Sequence, residues 1–175
     1  MSTSTPVQTS TDVINAILGV DEKSPLVALR NRKPNLVAEL QDYYNSIFQP
    51  TAESAAALSL PDRYVVAVRA ASFTGSEAVA NWYANLAAHA GVSDELIASA
   101  RDVTIPWTGD AALDAAIRHT DLLTTHPRDA RPEDLQALKD AGFTPAGIVS
   151  LAQTVAFVNY QLRLVAGLRA LGELA

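Results

Sequence analysis

The sequence contains no cysteine. That excludes disulfides, thiolate catalysis and cysteine-ligated metal within this chain. Histidine is scarce as well. His89, His119 and His126 are too dispersed for the ligand spacing of a zinc or non-haem iron site, so neither a metal nor a cofactor is expected. Basic residues number 13 against 19 acidic ones, and the densest basic group, Arg30, Arg32 and Lys33, is short. A broad phosphate-binding surface is therefore not expected, and nucleic acid is not an expected partner. No apolar run approaches the length of a membrane span, so no membrane partner is expected either. The opening residues, MSTSTPVQTS, lack both the basic region and the apolar stretch of a signal peptide. They read as a disordered tail over residues 1–10, ahead of a single domain over residues 11–175. The lack of cysteine fits a cytoplasmic protein.

What is present is an apolar fraction of 49 % in 175 residues, enough for the core of one domain. Its pattern is helical almost throughout. In TDVINAILGV, Thr11 or Asp12 is a cap, Val13, Ile14, Ile17 and Leu18 form a stripe, and Gly19 is a stop. Ser24-Pro25 opens a short helical turn to Leu29. Leu36, Val37, Leu40, Tyr43, Tyr44 and Ile47 lie at helical spacing ahead of Pro50. TAESAAALS reads as an Ala/Ser-rich connector with some helical character. Ser59-Leu60-Pro61-Asp62 then starts a helix that runs to about Ser72. A further helix ends at Gly91, and another runs from Ser93 to about Arg101. DVTIPWTG is a loop. Asp110 caps a helix that Pro127 terminates. Pro132-Glu133-Asp134 opens a helix that Gly142 closes. Thr144-Pro145 begins a long last helix to about Leu171. With no alternating strand pattern and only short joints, the fold class is an all-α bundle.

The stretch TGSEAVANWYANLAAHAG, residues 74–91, carries most of the chemistry-bearing side chains. Thr74-Gly75-Ser76-Glu77 matches the capping-box pattern, with Thr74 as the expected cap. On a helical wheel Ser76, Val79, Tyr83, Leu86 and Ala90 share a face that should be buried. Asn81, Asn85 and Glu77 point away from it, and Trp82 and His89 lie at its edge.

Two longer segments resemble the carboxymuconolactone decarboxylase (CMD) and AhpD-like alkylhydroperoxidase superfamily. The first is LSLPDRYVVAVRAASFTGSEAVANWYANLAAHAGVSDELI, residues 58–97, which resembles the family's core helix pair and the step into the next helix. The second is DLLTTHPRDARPEDLQALKDAGFTPAGIVSLAQTVAFVNYQLRLVAGL, residues 121–168, which resembles the tail of peroxidase-related members. The N-terminal INAILGVDEKSPLVALRNRKPNLVAELQDYYNSIF is similar to a cysteine-free subgroup of CMD-domain proteins. The resemblance implies an AhpD-like helical bundle. The family's peroxidase chemistry uses a Cys-x-x-Cys near a helix start, a His four residues after the second Cys, and a Glu twelve before the first. Carried over, the first Cys falls on Ser76, the second on Val79, the His on Tyr83 and the Glu on Tyr64. All four differ, so thiol peroxidase activity is not expected.

The remaining candidates have plain structural readings beside functional ones. Tyr64, Trp82 and Tyr83 suit the lining of an apolar pocket, and core packing suits them better. His119 could serve as a general base, yet Asp121 lies two residues on and does not share its face. A solvated or singly hydrogen-bonded imidazole is expected there. Asn159 and Arg163 lie four apart on an otherwise apolar face and suit a hydrogen-bond network. Arg69, inside VVAVRAAS, needs a partner if buried. Buried Tyr64 and Tyr83 hydroxyls would find theirs among Arg63, Arg69, His89 and Asn159.

Two kinds of function remain open. One is a non-redox scaffold or small-molecule-binding homologue of the alkylhydroperoxidases. By resemblance it would be a homo-oligomer (dimer, trimer or hexamer) with a cysteine-bearing CMD-domain relative as a further expected partner. The other is a cysteine-independent enzyme of lactone decarboxylase-like acid–base chemistry, or a peroxidase-related protein of the antioxidant-defence type by family descent. The enzyme reading requires Ser76, Tyr83, His89, Arg69 or His119 to converge on one pocket.

Overall fold

In the computed structural model, residues 12–104 and 109–173 are described. The tail at 1–10 and the middle of the loop expected at DVTIPWTG, residues 105–108, fall outside them. Among the described residues the chain forms ten α-helices and no strand: α1 Val13–Leu18, α2 Pro25–Arg30, α3 Pro34–Phe48, α4 Ala52–Ala57, α5 Leu60–Phe73, α6 Glu77–His89, α7 Asp94–Arg101, α8 Ala111–Thr125, α9 Pro132–Asp140 and α10 Pro145–Gly172. No single described helix is long and apolar enough to cross a membrane.

Most helix starts follow from local chemistry. The Asp12 carboxylate accepts the amide N–H groups of Ile14 and Asn15 at 2.9 and 3.0 Å. Its other oxygen takes the Arg30 guanidinium at 2.9 Å, which ties α1 to α2. Ser59 Oγ accepts from Asp62 N at 3.2 Å and donates to the Asp62 carboxylate at 2.6 Å. Ser93, Asp110 and Thr144 cap α7, α8 and α10 in the same way. The Ala/Ser-rich connector closes into a full helix, α4, because Thr51 Oγ1 accepts the Ser54 amide.

One expected cap is corrected. Thr74 does not start α6. It ends α5, and its hydroxyl donates back to the Ala71 carbonyl at 2.9 Å. Gly75 takes φ +66°, which separates the two helices, and Ser76 stands at the N-cap of α6 without a side-chain cap bond. The capping-box letters were present, but the glycine between them demands a left-handed turn that Thr74 cannot cap across.

α5 is the central element, packed against α6, α7, α8 and α10. Every residue from Arg63 to Ala71 is buried. A helix enclosed on all sides should be apolar on all sides, and its two arginines are the exceptions. Arg63 solves the problem with carbonyls. Its Nε donates to Leu58 O at 2.9 Å, Nη1 to Ile47 O at 3.2 Å, and Nη2 to Ser54 O and Oγ at 2.9 and 2.8 Å. Those carbonyls belong to the C-terminal ends of α3 and α4, where unpaired oxygens and the negative dipole end suit a cation. Burial lowers the Arg63 pKa from its ordinary value.

The main apolar cluster joins α1, α3, α5, α6 and α10. A smaller one, built on Leu58, Val66, Ala115, Ala116, Leu138, Leu151 and Val155, lies where α8, α9 and the first half of α10 meet. Gly147 permits α10 to cross α4 closely, since a Cβ there would lie 2.6 Å from the Ala57 carbonyl oxygen.

Candidate functional site

The α5–α6 pair brings Tyr64, Val79 and Tyr83 together in the main cluster. Tyr64 and Tyr83 ring centroids lie 6.4 Å apart, as expected from the positions they occupy. Phe48 of α3 fills the space beside both, stacked on Tyr64 at 5.4 Å and tilted against Tyr83 at 5.0 Å. Tyr44 adds a further ring against Phe48 and Phe157. Ser76, at the N-cap of α6, is only half-buried.

The Tyr83 hydroxyl donates to Gln161 Oε1 of α10, with both residues wholly buried. None of the four partners expected for it serves. Arg63 is committed to carbonyls. Arg69 Nε and Nη2 each donate at 2.7 Å to the two oxygens of Asp121. Arg69 Nη1 donates to the Asp102 carbonyl at 2.6 Å, and its guanidinium lies 4.9 Å from the centre of the Phe73 ring. His89 is exposed, its Nδ1 2.7 Å from the Asn85 carbonyl of its own helix. Asn159 is buried and donates to Thr124 Oγ1 and Val155 O at 3.1 and 3.0 Å. Arg163 is exposed and caps the Asn159 carbonyl at 2.7 Å. The Asn159–Arg163 pair thus forms the expected network, half inside and half outside the protein.

His119 overturns the expectation of a solvated or singly hydrogen-bonded ring. It is buried, and its Nδ1 has no hydrogen-bond partner. Burial lowers its pKa, partly offset by the nearby Asp134 carboxylate of α9. Its neighbours along α8, Ala115 and Ala116, belong to the smaller cluster and not to the one that holds Tyr64 and Tyr83. Ile117 and Thr120 are buried with it, so α8 is enclosed on more than one side.

Among the described residues two buried donors lack acceptors, Trp82 Nε1 and Gln161 Nε2. Trp82 is close enough to the Tyr44 hydroxyl to lower its pKa, but not in hydrogen-bond geometry. Burial, reinforced by Tyr64, nevertheless pushes Tyr44 up to about 12. Tyr64 and Tyr83 are raised as well, Tyr83 well above the ordinary value, with burial the first cause in each. These hydroxyls are proton-bearing donors at any physiological pH and unsuited to act as bases. Among the described residues no three His, Asp or Glu side chains gather into a metal-binding group.

Sequence reasoning missed Gln161, Tyr44 and Phe48. Gln161 had a signal: it sits between Val158 and Val165 on a face of α10 that is otherwise core. Asp121 was noticed only as a neighbour of His119, although it lies four residues after the core position Ile117.

No family model matches the chain, and no curated protein matches it. Among solved structures, the crystal structure of an uncharacterized peroxidase-related protein from Silicibacter sp. TM1040 superposes with a TM-score of 0.68 at 16 % sequence identity. The match covers 75 % of this chain and 66 % of that one. The two chains share a fold. This agrees with the AhpD-like helical bundle that the sequence segments imply.

Proposed function

We propose that this chain is a non-redox homologue of the alkylhydroperoxidase-like proteins, a cytoplasmic scaffold or small-molecule-binding protein that assembles as a homo-oligomer. One observation carries the reading. The four positions at which the family resemblance places peroxidase chemistry hold Tyr64, Ser76, Val79 and Tyr83, and Tyr83 is turned inward and closed against Gln161. A buried tyrosine with a raised pKa cannot relay a proton from a nucleophile, and Val79 has none to offer. A cysteine-bearing CMD-domain relative would supply chemistry where it is needed.

The test is hydroperoxide turnover by purified protein, freed of contaminating metals and enzymes. The expected result is none, and Ser76→Ala should melt and behave like the wild type. Sustained turnover that Ser76→Ala abolishes without changing the melting temperature would overturn the reading.

A second reading, a cysteine-free acid–base enzyme, draws support from the unpaired Trp82 and Gln161 donors, which would hold a small hydrogen-bond acceptor in a substrate. Against it, the five residues it needs lie apart in burial and partner: His89 is exposed, Arg69 is neutralised by Asp121, and His119 belongs with other packing. Tyr83→Phe discriminates the two. In a scaffold it lowers stability alone, by about 1–3 kcal/mol, because Gln161 loses its partner; in an enzyme it removes activity.

A further inference from the structure

The outer face of α10 is unusual. Ala146, Val149, Gln153, Ala156, Tyr160, Arg163, Gly167 and Ala170 are all exposed, and they follow one another in steps of three and four. That is the heptad spacing of a helix seam that packs on another helix. Arg163 is its only charged member. Val149 and Tyr160 are 55 % and 52 % exposed, and Leu36 and Tyr43 extend the apolar surface from α3. A groove of about 360 Å³ lies between Leu36, Tyr43, Ala156 and Tyr160. A second, of about 460 Å³, flanks Ala146 and Val149.

Gly167 is the independent clue. A glycine inside a helix is destabilising against alanine, so it usually answers a close neighbour. Gly147 has one in the Ala57 carbonyl. A Cβ at Gly167 would meet nothing within 4 Å. No described residue of this chain requires the glycine.

We propose that the seam is a two-fold interface in which α10 packs antiparallel on α10 of a second copy of this chain, with the axis midway between Ala156 and Tyr160. The inference rests on the homo-oligomeric reading above and gives it a surface and a symmetry. The residues complement one another about that axis. Tyr160 meets the small Ala156 of the other copy. Val149 meets Gly167, which explains the missing Cβ. Gln153 meets Arg163, polar against polar, and Ala146 meets Ala170. A parallel pairing sets Arg163 against Arg163 and Tyr160 against Tyr160, so like charges and large rings collide while Gly167 leaves a void. Each copy presents the same patch, as a two-fold interface demands.

The absence of cysteine makes the test clean. Ala146 and Ala170 lie about 36 Å apart along one helix at 1.5 Å per residue, so a disulfide between them can form only across two copies. Three variants are oxidised and run on non-reducing gels: Ala146→Cys, Ala170→Cys and the double variant. The proposal expects a covalent dimer in the double variant, on the order of tenfold above either single variant, given the steep distance limit on disulfides. Gly167→Trp should halve the mass seen by light scattering while leaving the far-ultraviolet helical signal unchanged. Single variants that cross-link as well as the double one would overturn the antiparallel register. Oligomeric wild-type protein whose Ala146→Cys/Ala170→Cys double variant forms no disulfide dimer would overturn this interface and leave the oligomer standing. Monomeric wild-type protein would sink both.

Discussion

Arg69 is 1 % exposed and its charge is met by Asp121 and by backbone oxygen. Removing only the acid leaves a guanidinium stranded in the core. Asp121→Ala should therefore lower stability by about 3–5 kcal/mol, against far less for the paired Arg69→Met/Asp121→Leu change; denaturant melts of the two variants check this. His119 sets a pH dependence. Burial holds its folded pKa below the ordinary 6.5, so between the two values the unfolded chain binds more protons than the folded one. Stability then rises with pH across that window. Its contribution is complete above about 6.5 and is lost as pH falls from there through the lowered folded value. His119→Leu should flatten the dependence of the urea midpoint on pH between neutrality and that window; an equally steep fall in the variant would assign the effect elsewhere. At this scale the sequence spoke unevenly. That Arg69 needs a partner was readable from the apolar letters around it, but which carboxylate comes to it depends on how α8 crosses α5. Gln161 was hidden because the polar character of one letter says nothing about a bond to a tyrosine 78 positions away.

Helices were the most legible level, because caps, prolines and periodicity are local. The starts at Ser59, Ser93, Asp110 and Thr144 stand where the sequence puts them, and the cap of α1 is Asp12, one of the two residues open for it. The start of α6 does not, and the reason is testable. Thr74 is exposed and bonds only within its own turn, so Thr74→Ala should change stability by no more than about 0.5 kcal/mol. Gly75→Ala, at φ +66°, should cost about 1 kcal/mol or more, since alanine resists that backbone conformation. Ser59→Ala, which removes a working cap, should cost about 1 kcal/mol. Thermal melts that rank Thr74→Ala as the worst of the three would restore the capping box. α4 shows the opposite failure of local reading. Its alanines allow a helix without announcing one, and the Thr51 cap and the cover given by α10 decide the matter.

Across the molecule, stability is graded by enclosure. α5 is sealed on all sides, whereas α4 buries no residue and α9 buries only Leu138. Amide hydrogen exchange should therefore be slowest in α5, through global unfolding, and fastest in α4 and α9, through local opening; comparable protection in α9 and α5 would contradict this. The all-helical architecture was legible because helical periodicity runs the length of the chain. The site was legible only as a set of positions marked by a resemblance, since what packs around them is settled between distant helices. The main cluster contains aliphatic and aromatic side chains and not one sulfur atom; the chain's single methionine is Met1. A peroxide diffusing into this interior would find no thioether to convert to sulfoxide and no thiol to climb the sulfenic–sulfonic ladder, the lesions by which oxidants commonly loosen cores. A core without sulfur therefore lacks the side chains that hydroperoxides oxidise most readily.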